Sequence, residues 1–473
     1  VDVVAPTDND QVVRGLSLLL GGPLGRHGRP ALRRSAILVL VALIAAVVGT
    51  LSWAQKSPCR TNVWSSNFQY THYCYTDIAG LYYDEHLNDL SVPYLDNQDP
   101  ARPDGKYVEY PVLTGWYWFV AAEIAQWVEQ PSAEERAAIA SRDPARAANA
   151  TAALQSRQSR AYFDVSVIGL VLMGIATVAL VGAFVPRRPW DAAMVAVSPV
   201  FLLYLDMNWD VLAALSSVAA LYAWTRKQPI LAGVFLAVGV SAKLFPIVLL
   251  VAFGCDAMRS RRWRECLTAA ASGAAAWLVI NVPVWLLAPR GFGYFWSFNR
   301  NRVADFDTWA YAVEQFVLHH TMGTGTLNLI VAVLFAISVA AVVILARWAP
   351  TPPRVAQTAF LVAASFVLVN KVWSPQYAMF LLPLAVLARP RWSMFLLWQA
   401  SELVLFLARD QFLINLGGGA AGIPYHMYFW VGVVPRAVTL MLLMGRVGYE
   451  IAHPEADIVR TDRARVPALV PAT

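Results

Sequence analysis

Apolar stretches of about 17–25 residues recur along this chain, the length a helix needs to cross a hydrocarbon core roughly 30 Å thick. Inside that core there is no water to satisfy a backbone amide, so such segments fold as helices that bond within themselves. Of 473 residues, 58% are hydrophobic and 14% charged, whereas a soluble domain carries about 25% charged residues. The expectation is an all-α, polytopic transmembrane helical bundle. The 18 tryptophans suit interfacial belts. The formal charge of +6 sits in short loops, where it sets orientation and gives no reason to expect nucleic acid.

Spans are expected near 36–54, 164–185, 190–205, 210–225, 230–243, 245–258, 267–288, 325–347, 355–370, 376–388, 392–409 and 427–446, about twelve crossings. Segment 111–128 is apolar and aromatic, but a full crossing there would reverse every later loop. Read as a re-entrant or interfacial helix, it leaves Arg187/Arg188, Arg226/Lys227, Arg259 to Arg264, Arg347/Arg354, Arg389/Arg391 and Arg446 on one side, the positive-inside pattern. Segment 129–160 is expected to be a surface helix punctuated by Pro131 and Pro144.

This parity gives a cytoplasmic segment 1–35, a membrane domain 36–446 with outer loops 55–163, 289–324 and 410–426, and a cytoplasmic tail 447–473. Arg26, Arg29, Arg33 and Arg34 before the first span read as a retained anchor, and Arg460, Arg463 and Arg465 mark the tail. The large loops place function on the outer face of the plasma (inner) membrane, the periplasmic or extracellular side. Cys59 and Cys74 then lie outside, where a disulfide persists; Cys255 and Cys266 lie inside, where thiols stay reduced.

Several residues break the sidedness rule. Lys243, Lys371, Arg290, Arg300, Arg302 and Arg409 are basic yet fall at the outer ends. Each either snorkels to lipid headgroups or joins a cationic pocket for phosphate. Lys243 and Lys371 are the first choices for the pocket, because each precedes an aromatic-Pro break.

Acids form a second set. Asp77 stands among aromatic and apolar residues at the mouth of the bundle, where a carboxylate is costly. Asp206 and Asp210, flanking Trp209 in one turn, either cap a helix or grip sugar hydroxyls beneath an aromatic face. Glu402 and Arg436 lie at similar depth and are expected to pair. His319 and His320 are surface residues or contact phosphate; they lack metal-ligand spacing, so no metal site is expected.

In order and sidedness these elements resemble the polytopic GT-C glycosyltransferases, in particular glycosyltransferase family 87, also called the DUF2029 family. The resemblance rests on Thr76-Asp77-Ile78 with Tyr82-Tyr83, on Glu109-Tyr110-Pro111-Val112, on Ala242-Lys243-Leu244-Phe245-Pro246 and on Trp373-Ser374-Pro375-Gln376-Tyr377. The family's second proline after Tyr110 is missing here. The resemblance implies transfer of a sugar, mannose first and arabinofuranose second, from a polyprenyl-phosphate donor to a cell-envelope glycolipid or polysaccharide acceptor, in mycobacteria or their relatives.

It also implies roles. Asp77 would be the general base of an inverting displacement. Lys243, Lys371, Arg300 and Arg302 would hold the donor phosphate. Tyr82, Glu109, Asp206, Asp210, Trp209, Trp373, Gln376 and His320 would contact sugar or acceptor. The scheme requires no cofactor, although the acids of the first loop leave room for a divalent cation. The rival readings are a transporter or flippase for lipid-linked sugars, and a non-catalytic scaffold of an envelope complex; the chain has no convincing repeat between its halves, as many transporters do.

Overall fold

The computed structural model describes residues 3–4, 10–20, 32–61, 67–102, 105–419 and 421–464. Arg26, Arg29 and Arg465 lie outside the described residues. The fold is all-α and polytopic, apart from a short antiparallel pairing of Val3–Val4 with Leu32–Arg33. Its main helices are α1 (Arg34–Lys56), α2 (Asp77–Asp84), α3 (Val112–Val128), α4 (Pro144–Phe184), α5 (Asp210–Thr225), α6 (Pro229–Ala242), α7 (Trp263–Leu287), α8 (Pro289–Asn301), α9 (Thr324–Trp348), α10 (Val355–Val369), α11 (Tyr377–Ala388), α12 (Trp392–Leu416) and α13 (Val434–Ala452).

By length and composition, five helices among the described residues can cross a membrane: Arg34–Arg60, Pro144–Phe184, Trp263–Leu287, Thr324–Trp348 and Tyr425–Ala452. They form much of the periphery; of the apolar window in α9 only 11% is buried. The shorter apolar helices α5, α10 and α11 occupy the middle, and α11 is buried from Ala378 to Ala388. A helix apolar all round belongs in such a core. At 1.5 Å per residue, α10 is only about 22 Å long. Helices shielded from lipid can stop short, and the polar loops at their ends are then recessed within the bundle.

Small residues select the inward faces. Buried positions on α1 are Ile37, Val41, Ala45, Gly49, Ser52 and Lys56, while Val39, Leu43, Val47 and Leu51 stay exposed. Both faces are apolar, so packing rather than hydrophobicity decides. A Cβ on Gly49 would lie 2.8 Å from Val171 Cγ1. On Gly233 it would run into the Ala269 carbonyl and the backbone of Gly273, which fixes the close crossing of α6 and α7.

The structure redraws several expected boundaries. From Pro144 onward the surface helix expected over 129–160 runs into the span 164–185 as one 41-residue helix, α4, while Ala133–Ile139 forms a short helix of its own. Pro144 opens that helix at a position needing no amide donor, and Asp143 caps it. The expected span 190–205 is broken into Ala192–Ala196 and Pro199–Tyr204, with Ser198 capping the second piece. The helix expected to end at 409 continues to Leu416, which places Asp410 inside α12 rather than in an outer loop.

Helix α3 packs along α4. Tyr117 Oη donates to the Ser166 carbonyl (2.6 Å) and Gln158 Nε2 to the Glu129 carbonyl (3.2 Å), so α3 runs antiparallel to the middle of α4. Its first turn is pinned by Thr114 Oγ1 to the carbonyl of Ala242 (2.7 Å), the last residue of α6.

Many arginines gather at the end of the bundle away from Asp77. Arg259 donates to the carbonyls of Arg347 and Ala349, and Arg354 to those of Leu387 and Ala388. These carbonyls terminate helices, and cations suit that position. Arg354 also pairs with Asp457 (2.8 Å) and Arg389 with Glu450 (2.9 Å). Glu402 and Arg436 pair at 3.1 Å within the bundle, and Cys59 is bonded to Cys74.

The first long loop contains a pH-sensitive stability element. Glu85 is 1% exposed and accepts from Gln98 Nε2 at 2.7 Å. Burial pushes its carboxyl up to about 7 from an ordinary value of 4.5, against the opposing pull of Gln98 and Lys106. A raised folded-state value means that the stabilising contribution is complete below about 4.5 and is lost as pH rises through about 7. Glu85→Gln should therefore raise the unfolding temperature in detergent at pH 8, by up to about 3 kcal/mol of stability. The gain should vanish near pH 4.5; an equal gain at both pH values would assign it to another cause.

Candidate active site

The loop before α2 is fastened at several points. Cys74 is tied to Cys59, just beyond α1. Thr76 Oγ1 caps α2 by accepting from the Ile78 amide (3.2 Å) and donates to the Asp206 carbonyl (2.8 Å). The Asp77 amide donates to the Met207 carbonyl at 2.9 Å. Asp77 is thus the first residue of α2, where the helix dipole favours a negative charge.

Both carboxylate oxygens of Asp77 are held by neutral donors. Tyr75 Oη donates to Oδ1 (2.5 Å) and Asn208 Nδ2 to Oδ2 (2.6 Å). Burial, followed by the charge of Asp77, holds the Tyr75 hydroxyl well above its ordinary range, so it remains a donor. Asn208 Nδ2 also donates to Tyr110 Oη at 2.8 Å.

Lys243 stands on the other side of Asn208. Helix α6 stops at Ala242, Lys243 is extended, and Phe245-Pro246 starts a tight turn that keeps the helix from continuing. Lys243 Nζ lies 2.8 Å from Asp210 Oδ1 and 3.3 Å from Asn208 Oδ1. It also faces the rings of Tyr110 and Tyr377, at 5.2 and 5.5 Å.

Loop 302–308 forms the facing wall. Arg302 Nη2 is 3.9 Å from Asp305 Oδ2, a loose pair that leaves most guanidinium donors available. Asp307 is held by Arg409 (3.2 Å) and by Tyr428 Oη. Arg409 lies over Phe306 and reaches toward Tyr75, which connects this wall to the Asp77 side. Burial raises the Glu109 carboxyl while Arg302 pulls it back down; burial, then the charge of Asp307, pushes Asp305 up to about 6.

Tyr110 is shared with a small apolar cavity whose walls include Leu244, Trp277, Phe292, Phe295 and Trp296. The site therefore borders a polar cluster on one side and an apolar recess between α6, α7 and α8 on the other.

Residues 160–370 match the family model of Glycosyltransferase family 87. This match supports a glycosyltransferase, and with the apolar helices it supports a membrane protein. It spans Asn208, Asp210, Lys243, Arg302 and Asp305 but excludes Asp77 and Glu109. No curated protein matches the chain. Among solved structures, the oligosaccharyltransferase of Archaeoglobus fulgidus in its apo form is similar at a TM-score of 0.39 and 11% identity. The alignment covers 87% of this chain and 56% of that one, so the chain spans little more than half of the solved protein.

Of the residues singled out by sequence, Asp77, Asp210 and Lys243 converge through Asn208, and Glu109 and Arg302 act on each other electrostatically. Others are placed elsewhere. Lys371 neither snorkels nor faces Asp77: its ammonium is engaged by the carbonyls of Arg300 (3.2 Å) and Arg302 (2.7 Å), where it closes the end of α8. The side chain of Arg300 itself is exposed.

Asp206 is fully buried, and the cation that acts on it is Lys56 rather than Lys243. Trp209 packs on Trp118 (4.7 Å) and Tyr82 on Tyr162 (4.6 Å), both inside the core, so neither presents a face to a sugar. Trp373 lies buried beneath Arg436 at 4.1 Å. Gln376, half-buried, precedes α11. His320 is exposed and bonds its neighbour's carbonyl. Among the described residues, no group of three or more His, Cys, Asp or Glu is arranged to hold a metal ion.

Tyr75, Asn208, Asp305 and Asp307 were not candidates by sequence. Asn208 carried the best signal, an amide in the same turn as Asp206 and Asp210. Nothing in the sequence marks Tyr75 beyond its closeness to Asp77.

Proposed function

We propose that this chain is a membrane glycosyltransferase that moves a sugar from a polyprenyl-phosphate donor to an acceptor hydroxyl, with Asp77 as general base. The observation that carries the proposal is the arrangement of a half-buried carboxylate and the cation Lys243 on opposite ends of one amide, within a chain whose residues 160–370 match a glycosyltransferase family. Lys243 and Arg302 would receive the donor phosphate. The prenyl chain would leave through the apolar recess next to Tyr110. Glu109 and Asp210 would bind sugar or acceptor hydroxyls.

In this scheme Asp77 takes the proton of the acceptor hydroxyl as its oxygen attacks the anomeric carbon. The bond from that carbon to the phosphate oxygen breaks, and polyprenyl phosphate departs with its charge stabilised by Lys243 and Arg302. One displacement inverts the anomeric configuration. The arginine-rich end would be cytoplasmic by the positive-inside pattern, which sets the site at the outer face of the plasma membrane. Mannose is the first sugar to test and arabinofuranose the second, with a cell-envelope glycolipid or polysaccharide as acceptor.

The test is direct. Purified protein in lipid nanodiscs, given polyprenyl-phosphate mannose or arabinofuranose and envelope glycolipids, should form a product of inverted configuration, and nucleotide sugars should form none. Transfer from a nucleotide sugar alone would overturn the lipid donor. Activity lost to a strong chelator and restored by a divalent ion would add a metal to the scheme.

A further inference from the structure

A carboxylate and an ammonium that share one recessed site tend to collapse into an ion pair, because their attraction strengthens as water is excluded. A paired base is a poorer base, and a paired cation is less free to meet a phosphate. Asp77 and Lys243 are not paired with each other: Asn208 stands between them.

We propose that Asn208 is a positioning residue that keeps Asp77 and Lys243 adjacent but apart. This rests on the proposed role of Asp77 as base. Asn208 has partners of matched polarity at both ends of its amide. Nδ2 donates to Asp77 Oδ2 (2.6 Å) and Tyr110 Oη (2.8 Å). Oδ1 accepts from Lys243 Nζ (3.3 Å) and from the amide of Trp209 (2.6 Å). Reversing the amide would set oxygen against carboxylate and nitrogen against two donors, so these partners fix its orientation.

The side chain of Asn208 is fully buried. An amide side chain donates at one end and accepts at the other without carrying or gaining charge. Aspartate there would repel Asp77, and an aliphatic side chain would abandon both neighbours. Asp210 completes the device: it pairs with Lys243 at 2.8 Å and so takes up its charge. Tyr75 holds the second oxygen of Asp77 without adding charge.

The test is a cycle. Asn208→Leu should lower kcat by about 10²-fold, the lower end of what a positioned base contributes, and leave KM for the lipid donor nearly unchanged. In a background where Lys243→Met and Asp210→Asn remove the neighbouring ion pair, the same substitution should cost much less, since the cation that Asn208 holds off Asp77 is gone, while Lys56, whose charge also reaches Asp77, is the same in both backgrounds. Asn208→Ser, smaller and too short for either contact, gives the same comparison if the leucine variant does not fold. Unchanged kcat, or an equal loss in both backgrounds, would overturn the proposal. Full activity of Asp77→Asn would instead remove the base on which it rests, so the two failures are distinguishable.

Discussion

Asp77→Asn should reduce turnover by about 10³-fold, the middle of the range attributed to a positioned general base. The substitution changes few atoms, and the new side chain occupies the same place at the start of α2 with Tyr75 and Asn208 around it. What is lost is the capacity to accept a proton, and one contact must reverse: with its oxygen toward Asn208, the new amide donates to Tyr75 Oη, whose hydroxyl can rotate to accept. Donor binding should persist, because Lys243 and Arg302 keep their own partners, Asp210 and Asp305. The measurement is a pair of assays on one folded preparation: sugar transfer, and binding of a labelled polyprenyl-phosphate sugar. A fall in kcat with retained binding assigns Asp77 to the chemical step. Full turnover would remove it from the mechanism, and parallel loss of binding would make it a structural or donor-holding residue.

What the sequence disclosed follows from the kind of physics each feature obeys. Long apolar helices are legible because bilayer thickness sets their length, and α1, α7 and α9 fall within a few residues of expectation. Charge parity favours a non-crossing α3, since the loop arginines then leave one consistent arrangement. The break at Ser198-Pro199 went unread because the residues on both sides are apolar and resemble one continuous span. Helix α4 extends beyond its span because Pro144 at a first turn opens a helix as readily as it ends one.

At the site, the charge pattern singles out several basic side chains as exceptions, yet the sequence does not say what each one faces. Lys243 and Lys371 look equivalent as lysines before a proline break. Only the fold separates them: Lys243 reaches Asn208 and Asp210, whereas Lys371 is surrounded by the carbonyls that end α8. Asn208 escaped for the converse reason. An uncharged amide in a turn is unremarkable until its neighbours prove to be a carboxylate and an ammonium.

Arg436→Met should produce the largest loss of stability of any single substitution considered. Arg436 is 0% exposed and Glu402 1%. The guanidinium pairs with Glu402 at 3.1 Å and donates to the carbonyls of Trp373, Ser374 and Pro375. Methionine fills the volume but leaves a buried carboxylate without its cation and several carbonyls with one donor fewer. Breaking one side of a buried pair costs about 3–5 kcal/mol, against a total stability of about 5–15 kcal/mol for a typical folded protein. The unfolding temperature in detergent should fall sharply. Adding Glu402→Leu should recover part of the loss by removing the stranded charge, and the remainder measures the three carbonyls. That remainder matters for function, because loop 371–376 precedes Tyr377, whose ring faces Lys243. The double variant should therefore regain stability more fully than activity. Equal recovery of both would mean that the carbonyl contacts do not position the site.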